Sequence, residues 1–223
     1  MIYQRLLTGL ALTFSGLSGG MAVAEDFAME KPRADWIWDA TGDSSNQPIY
    51  LQKQFEVTGT VSAAPVFTTS DNNMTLWING KRVGRSQSWS SPIQMDVAKF
   101  LVQGSNTIAV EAANEGGPAA FSFKMVAQRK NSEDILVLSD TSWKMSSTRP
   151  AGEWFGKKHD ASDWPGKLRK VGTMGDSPWG VPGKQTNAVA AAAAPPQTVD
   201  GFSVELVYKV TSDTQGSWVS LTT

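Results

Sequence analysis

The strongest constraint on this chain is an alternation of apolar and polar residues with a period of two, repeated in many short segments. Leu51 and Phe55 alternate with Gln52 and Gln54; Met74, Leu76 and Ile78 alternate with Thr75, Trp77 and Asn79. Ile108, Val110 and Ala112 alternate with Thr107, Ala109 and Glu111, and Phe121, Phe123 and Met125 with Ser122 and Lys124. Successive side chains of a strand point to opposite faces, so the pattern predicts strands with one buried face. Clusters of Gly, Asn, Asp, Ser and Pro separate these segments, without the helical intervals that a doubly wound sheet would need. Only Met95 to Val102 looks helical, as a single turn before Gly104. The expected fold class is all-β, a sandwich over residues 34–180 behind a short polar lead of residues 25–33.

The flanks read differently. Arg5, the uncharged apolar run Leu6 to Leu17, and small residues at Ala22 and Ala24 form the pattern of a secretory signal peptide over residues 1–24. An exported protein, periplasmic or extracellular, is expected, with no membrane span after cleavage and no lipid anchor. Loss of Arg5 takes the net charge from −1 to about −2, and no sequence run is basic enough to suggest nucleic acid as a partner. The chain has no cysteine, so the fold must rest on its core rather than on disulfides. Residues 181–200, with Ala188 to Ala194 followed by Pro195-Pro196, read as a linker. Alternation restarts at Phe202, Val204, Leu206 and Tyr208 and stops at Thr223, which reads as the truncated start of a second β domain in a fragment of a longer protein.

The most specific stretch is Asp71-Asn72-Asn73-Met74-Thr75-Leu76-Trp77-Ile78-Asn79-Gly80-Lys81-Arg82-Val83-Gly84. Asn79-Gly80 is a strong two-residue hairpin signal, because both residues accept positive φ. Pro92-Ile93-Gln94-Met95-Asp96-Val97, then Phe100-Leu101, Gly104 and Asn106-Thr107-Ile108-Ala109-Val110 follow at hairpin spacing. This order resembles the galactose-binding-like jelly-roll domains that stand beside glycoside hydrolase catalytic domains of β-galactosidase and rhamnosidase type. The resemblance covers about Trp36 to Gly180. It implies a jelly-roll sandwich and places any catalysis in another domain.

Further stretches resemble large secreted planctomycete-type proteins. They are Asn114-Glu115-Gly116-Gly117-Pro118-Ala119-Ala120, Asp140-Thr141-Ser142-Trp143-Lys144, Asp160-Ala161-Ser162-Asp163-Trp164-Pro165, Pro178-Trp179-Gly180 and Gln215-Gly216-Ser217-Trp218. In such proteins a jelly roll precedes a β-propeller related to sugar dehydrogenases and then a haem-binding cytochrome c domain. This resemblance makes the absent C-terminal domains of a parent protein the expected partners, and residues 201–223 the opening of the propeller.

Three functions follow as expectations: a non-catalytic module that recognises a glycan, a structural domain packed against the absent propeller, or a glycoside hydrolase. Hydrolysis needs a carboxylate pair across a cleft, and nothing in the spacing of Asp71, Glu111 and Glu115 marks one. His159, the sole histidine, lies in a charged loop and is expected to be a solvated side chain, which rules out a multi-histidine metal site. Sugar sites combine an aromatic platform with amides and carboxylates. Trp36, Trp38, Trp77, Trp143, Trp164 and Trp179 fit core or closing positions, whereas Trp89 and Trp154 lie in polar runs and are the candidates for exposure. The ligand-binding set expected is therefore Asp71, Asn72, Trp89, Asn114 and Trp154. No cofactor is expected beyond a structural Ca²⁺, which the jelly-roll resemblance implies. Asp39, Thr41 and Asp43 have the spacing of its oxygen ligands, and equally that of an Asx-rich turn.

Overall fold

Among the described residues, the period-two segments become twelve strands. They are β1 (Asp35–Asp39), β2 (Pro48–Val57), β3 (Val61–Ala63), β4 (Pro65–Asp71), β5 (Asn73–Ile78), β6 (Lys81–Ser86), β7 (Ile93–Asp96), β8 (Gly104–Ala113), β9 (Ala120–Arg129), β10 (Ile135–Leu138), β11 (Lys144–Ser146) and β12 (Leu168–Thr173). These come from a computed structural model that describes residues 27–43 and 47–182. The predicted signal peptide, most of the linker and the strand pattern after residue 200 lie outside the described residues. Among those described, no helix is long and apolar enough to cross a membrane.

The strands form two antiparallel sheets, and the chain is the expected all-β jelly-roll sandwich. One sheet runs β12-β1-β9-β4-β7, with β3 and β10 also pairing β9; the other runs β11-β2-β8-β5-β6. The predicted inward set is the core: Leu51, Met74, Leu76, Ile78, Ile108 and Val110 from the five-stranded sheet meet Phe121, Phe123 and Met125 from the seven-stranded one. The helical turn expected at Met95 to Val102 is shorter than predicted. Met95 and Asp96 continue β7, and only Ala98–Phe100 turns, as a 3-10 helix. Asp96 Oδ1 ends the strand there, accepting hydrogen bonds from the backbone N–H groups of Ala64 (3.0 Å) and Ala98 (2.8 Å).

Asn79 and Gly80 adopt φ of 51° and 83° and close the β5–β6 hairpin as predicted. Asn79 does more than turn the chain. Its Nδ2 donates to Asn106 Oδ1 (2.8 Å) and Phe100 O (2.9 Å), and its Oδ1 accepts the Thr107 N–H (2.9 Å). Asn106, fully buried, donates to the carbonyls of Val102 (2.7 Å) and Gly104 (2.8 Å) and accepts from Val102 N (2.9 Å). The two amides therefore lock the hairpin to the turn that starts β8.

Both sheets are also covered on their outer faces. Phe27 and Ala28 pack with Trp36, Phe67, Ala120, Met174 and Trp179 over the seven-stranded sheet. Lys124 is buried beneath them at 3% exposure; its Nζ donates to Glu30 O (2.5 Å) and lies 5.0 Å from the centre of the Phe27 ring. Burial holds its pKa below the usual lysine value. From residue 27 onward, the expected polar lead is thus part of the fold. Over the five-stranded sheet, Tyr50, Ala109 and Trp77 are covered by Trp154, Phe155 and Trp164.

Replacement of Asn106 by Ala leaves the Val102 N–H and the Asn79 amide without their partner. Each buried polar group so stranded costs about 1–3 kcal/mol. The expected outcome of Asn106→Ala is a lower denaturant midpoint with an unchanged m-value, worth about 2–6 kcal/mol, measured by chemical unfolding.

Candidate functional site: the loop rim of the sandwich

Strands β8 and β9 are consecutive in the chain and central in opposite sheets. The loop joining them, residues 114–119, must therefore cross one end of the sandwich. Register brings other turns to that end: Asp71 pairs with Ala120, Asn73 and Pro48 with Ala113, and Ile37 with Phe121.

Three of the predicted site residues converge there. Asn72 Oδ1 accepts the Glu115 N–H at 2.7 Å, and the neighbouring Asn73 donates from Nδ2 to Glu115 Oε1 at 2.5 Å. Asn114 is fully buried; its Nδ2 donates to the carbonyls of Asp43 and Gly117 (both 3.2 Å), and its Oδ1 accepts from Gly116 N (3.0 Å). Asp71, at 9% exposure, accepts the Trp179 Nε1–H at 2.8 Å on Oδ2. Burial pushes its carboxyl above the usual range, and the indole hydrogen bond opposes part of that shift. Asp71 and Asn114 therefore shape the rim, while Asn72 and Asn73 are half-buried against the exposed Glu115.

At the same end opens a recess of about 200 Å³, with walls that include Asp43, Pro118, Arg169, Pro178 and Trp179; Asp43 and Trp179 are the hydrogen-bond partners of Asn114 and Asp71. Arg169 pairs with Asp43 and donates from Nε to Asp39 O (3.1 Å). Asn73, Arg169 and Trp179 carry no signal of a site in the sequence; topology alone brings them to the rim.

The two predicted aromatic contacts fare differently. Trp89 is half-buried against the Trp36–Trp179 group, and its carbonyl accepts from Thr69 Oγ1 (2.9 Å) two residues before Asp71. Trp154 is a correction: it is 1% exposed, on the far outer face, with Tyr50 5.1 Å and Trp77 5.5 Å away between ring centres. An aromatic side chain buries roughly 150–250 Å². At about 25 cal/mol/Å² that is about 4–6 kcal/mol before entropy, enough to draw Trp154 inward despite its polar neighbours. His159 is likewise half-buried rather than freely solvated, 5.6 Å from the Trp164 ring.

Asp39, Thr41 and Asp43 form a turn. The backbone N–H and hydroxyl of Thr41 both donate to Asp39 Oδ1, at 2.8 and 2.9 Å. With the Asp43 carboxylate facing a guanidinium, the set has the geometry of the Asx turn rather than of a cage of six to eight oxygens. Among the described residues, no group of three or more His, Asp or Glu side chains could hold a metal ion.

The chain is similar to part of an α-L-rhamnosidase. It is 27% identical to the enzyme of Streptomyces avermitilis over 158 residues, 66% of this chain and 15% of the enzyme. The structure of that enzyme complexed with L-rhamnose superposes with a TM-score of 0.62 at 26% identity, over 67% of this chain and 15% of the enzyme. A lectin from Pleurotus ostreatus, solved in complex with GalNAc, superposes with a TM-score of 0.57 at 26% identity, over 66% of this chain and 44% of the lectin. No protein-family model matches the chain. The chain thus spans about a seventh of the rhamnosidase and under half of the lectin, in the fold that both share.

The raised pKa of Asp71 sets a pH dependence. In the folded state its proton is held more tightly than in the unfolded chain, so stability is lost as pH rises from 3.8, the ordinary value, through the raised folded value. Asp71→Asn, which retains an acceptor for Trp179, removes this loss. The unfolding free energy of the variant relative to wild type is expected to rise with pH across that window and then level off, as followed by denaturant titration between about pH 3 and 8.

Proposed function

We propose that this chain is a non-catalytic carbohydrate-binding module and that the β8–β9 rim is its glycan contact. The observation carrying this reading is that Asn72, Asn73 and Glu115, two amides and a carboxylate, share one end of the sandwich with a recess walled by indole, proline and guanidinium groups. A sugar ring presents hydroxyls to such groups and C–H faces to such walls. Likeness to a lectin and to one section of a rhamnosidase supports the reading. The recess is below the usual span of ligand pockets, about 300–1,000 Å³, and suits one sugar unit rather than a chain.

The module belongs, in this reading, to an exported multidomain protein whose chemistry lies in other domains, such as a dehydrogenase-like propeller and a cytochrome c domain. One observation favours a second reading, a purely structural domain. Asp71 and Asn114 hydrogen-bond to Trp179 and to the backbone of the rim loops, and Asn72 and Asn73 to Glu115, and they would do so without any ligand.

The two readings part on a glycan array of the full chain, followed by calorimetry with L-rhamnose and GalNAc as first probes. Binding is expected, and Asn72→Ala with Glu115→Ala should weaken it at least about tenfold, or about 1.4 kcal/mol. A folded chain that binds no glycan would reject the module and leave the scaffold.

A further inference from the structure

We propose that the outer face of the five-stranded sheet is a second binding surface, built for an anionic polysaccharide, with the Trp77–Phe155 pair flanked by Lys81, Arg82, Arg85, Lys157 and Lys158. It is separate from the rim and does not depend on the rim's function.

The cationic residues are dispersed in the sequence, and the fold gathers them. Arg82 is the cross-strand partner of Trp77, and Arg85 that of Thr75, on β6 at the edge of the sheet. Thr75 and Trp77 alternate with the buried Met74, Leu76 and Ile78, so they and their partners lie on the outer side. The hairpin tip abuts the loop at residue 156: a Cβ on Gly80 would stand 3.6 Å from the Gly156 backbone. That contact brings the loop of Lys157 and Lys158 to the hairpin tip, where Lys81, the partner of the inward Ile78, stands at the edge of the face. All five cations are exposed. Among the described residues none of the five has a carboxylate within 4.0 Å, whereas Lys53, Arg149, Arg169 and Lys170 each do. Glu153, Asp160 and Asp163 are the acids of the adjoining loop, and Glu111, the cross-strand partner of Thr75 on the same side, is paired with Arg149; the cations still outnumber the unpaired acids there, on a chain whose overall charge is −1. Five clustered cations repel one another, so an anionic partner gains what an internal ion pair would otherwise supply.

The aromatic pair selects the class of anion. Trp77 and Phe155 are half-buried and stacked, their centres 5.3 Å apart and their planes at 19°, and Trp154 backs Trp77 edge-on at 5.5 Å. The half-buried pair offers apolar surface to the C–H groups of a pyranose, with sulfate or carboxylate substituents reaching the guanidinium and ammonium groups on either side. Strand β6 has six residues, about 20 Å at 3.3 Å per residue, so the strip is long enough for several charged sugar units.

The test titrates the full chain with dextran sulfate, polygalacturonate, neutral dextran and single-stranded DNA at about 0.02 M and about 0.5 M salt, a range over which the screening length falls several-fold. Binding to at least one of the two anionic polysaccharides is expected at low salt, weakened at least tenfold at high salt, with neutral dextran much weaker; the two probes separate sulfate from carboxylate. The triple variant Arg82→Gln, Lys157→Gln, Lys158→Gln changes exposed side chains only, and near-UV circular dichroism checks its fold. It should lose at least about tenfold in affinity, while the rim variant Asn72→Ala, Glu115→Ala retains wild-type binding to these polymers. Undiminished binding by the folded triple variant would overturn the proposal. So would failure of both anionic polysaccharides to bind, equal affinity for neutral dextran, or tighter binding of DNA than of either anionic polysaccharide, the last pointing to nucleic acid instead. Loss of binding in the rim variant alone would place these polymers on the rim.

Discussion

The sandwich depends on the facing of β8 and β9 across its centre. Each is ten residues long, each is flanked by neighbours on both sides, and their inward residues, Ile108, Val110 and Ala112 against Phe121, Phe123 and Met125, form the middle of the core. Two sheets packed face to face leave about 10 Å for these side chains. Because the two strands follow each other in the chain, the loop between them has one course available, over the end of the sandwich. Residues 114–119 are thus held by the most constrained pair of elements in the fold, and loops on rigid strands are where binding groups are most accurately presented. The rim is a consequence of the core.

The inner faces of the sheets were legible as period-two alternation, and the hairpin as Asn79-Gly80. The outer faces were harder to read. Alternation says that the second face is polar or solvated, yet Tyr50, Phe67 and Trp77 are large aromatics standing in the polar phase of their strands. Out-of-phase aromatics mean that something covers the outside. What covers it here is irregular chain with no periodicity: residues 27–30 and 174–180 on one sheet, 154–164 on the other. That is why Trp154, surrounded by Gly152, Glu153 and Gly156, read as exposed and is buried. The missing information was a partner surface, and a local window holds none.

The rim was partly legible for a related reason. Asp71, Asn72 and Asn114 stand at strand ends, and strand ends of one hand meet at one end of a sandwich. Their division into groups that brace loops and groups that meet Glu115 depends on hydrogen bonds over long sequence separations, such as Trp179 to Asp71 and Asn114 to Asp43. The same holds for the Asn79–Asn106 pair. As sequence these are a turn asparagine and one in a strand run, 27 residues apart; as structure they are one amide network joining the hairpin to the turn at the start of β8.

Charge follows the same logic of gathering. A chain of net charge −1 gives no reason to expect a cationic face, since the basic residues are spread among acids along the sequence. Folding sorts them. Lys53, Arg149, Arg169 and Lys170 meet carboxylates, and the β6 edge with the 157–158 loop keeps cations that do not. An edge strand with exposed amides invites pairing with another chain, and clustered Lys and Arg also discourage that. Edge protection by itself asks only for charge on the strand. It does not account for Lys157 and Lys158, which lie off the strand beside the Trp77–Phe155 pair, and a binding surface does.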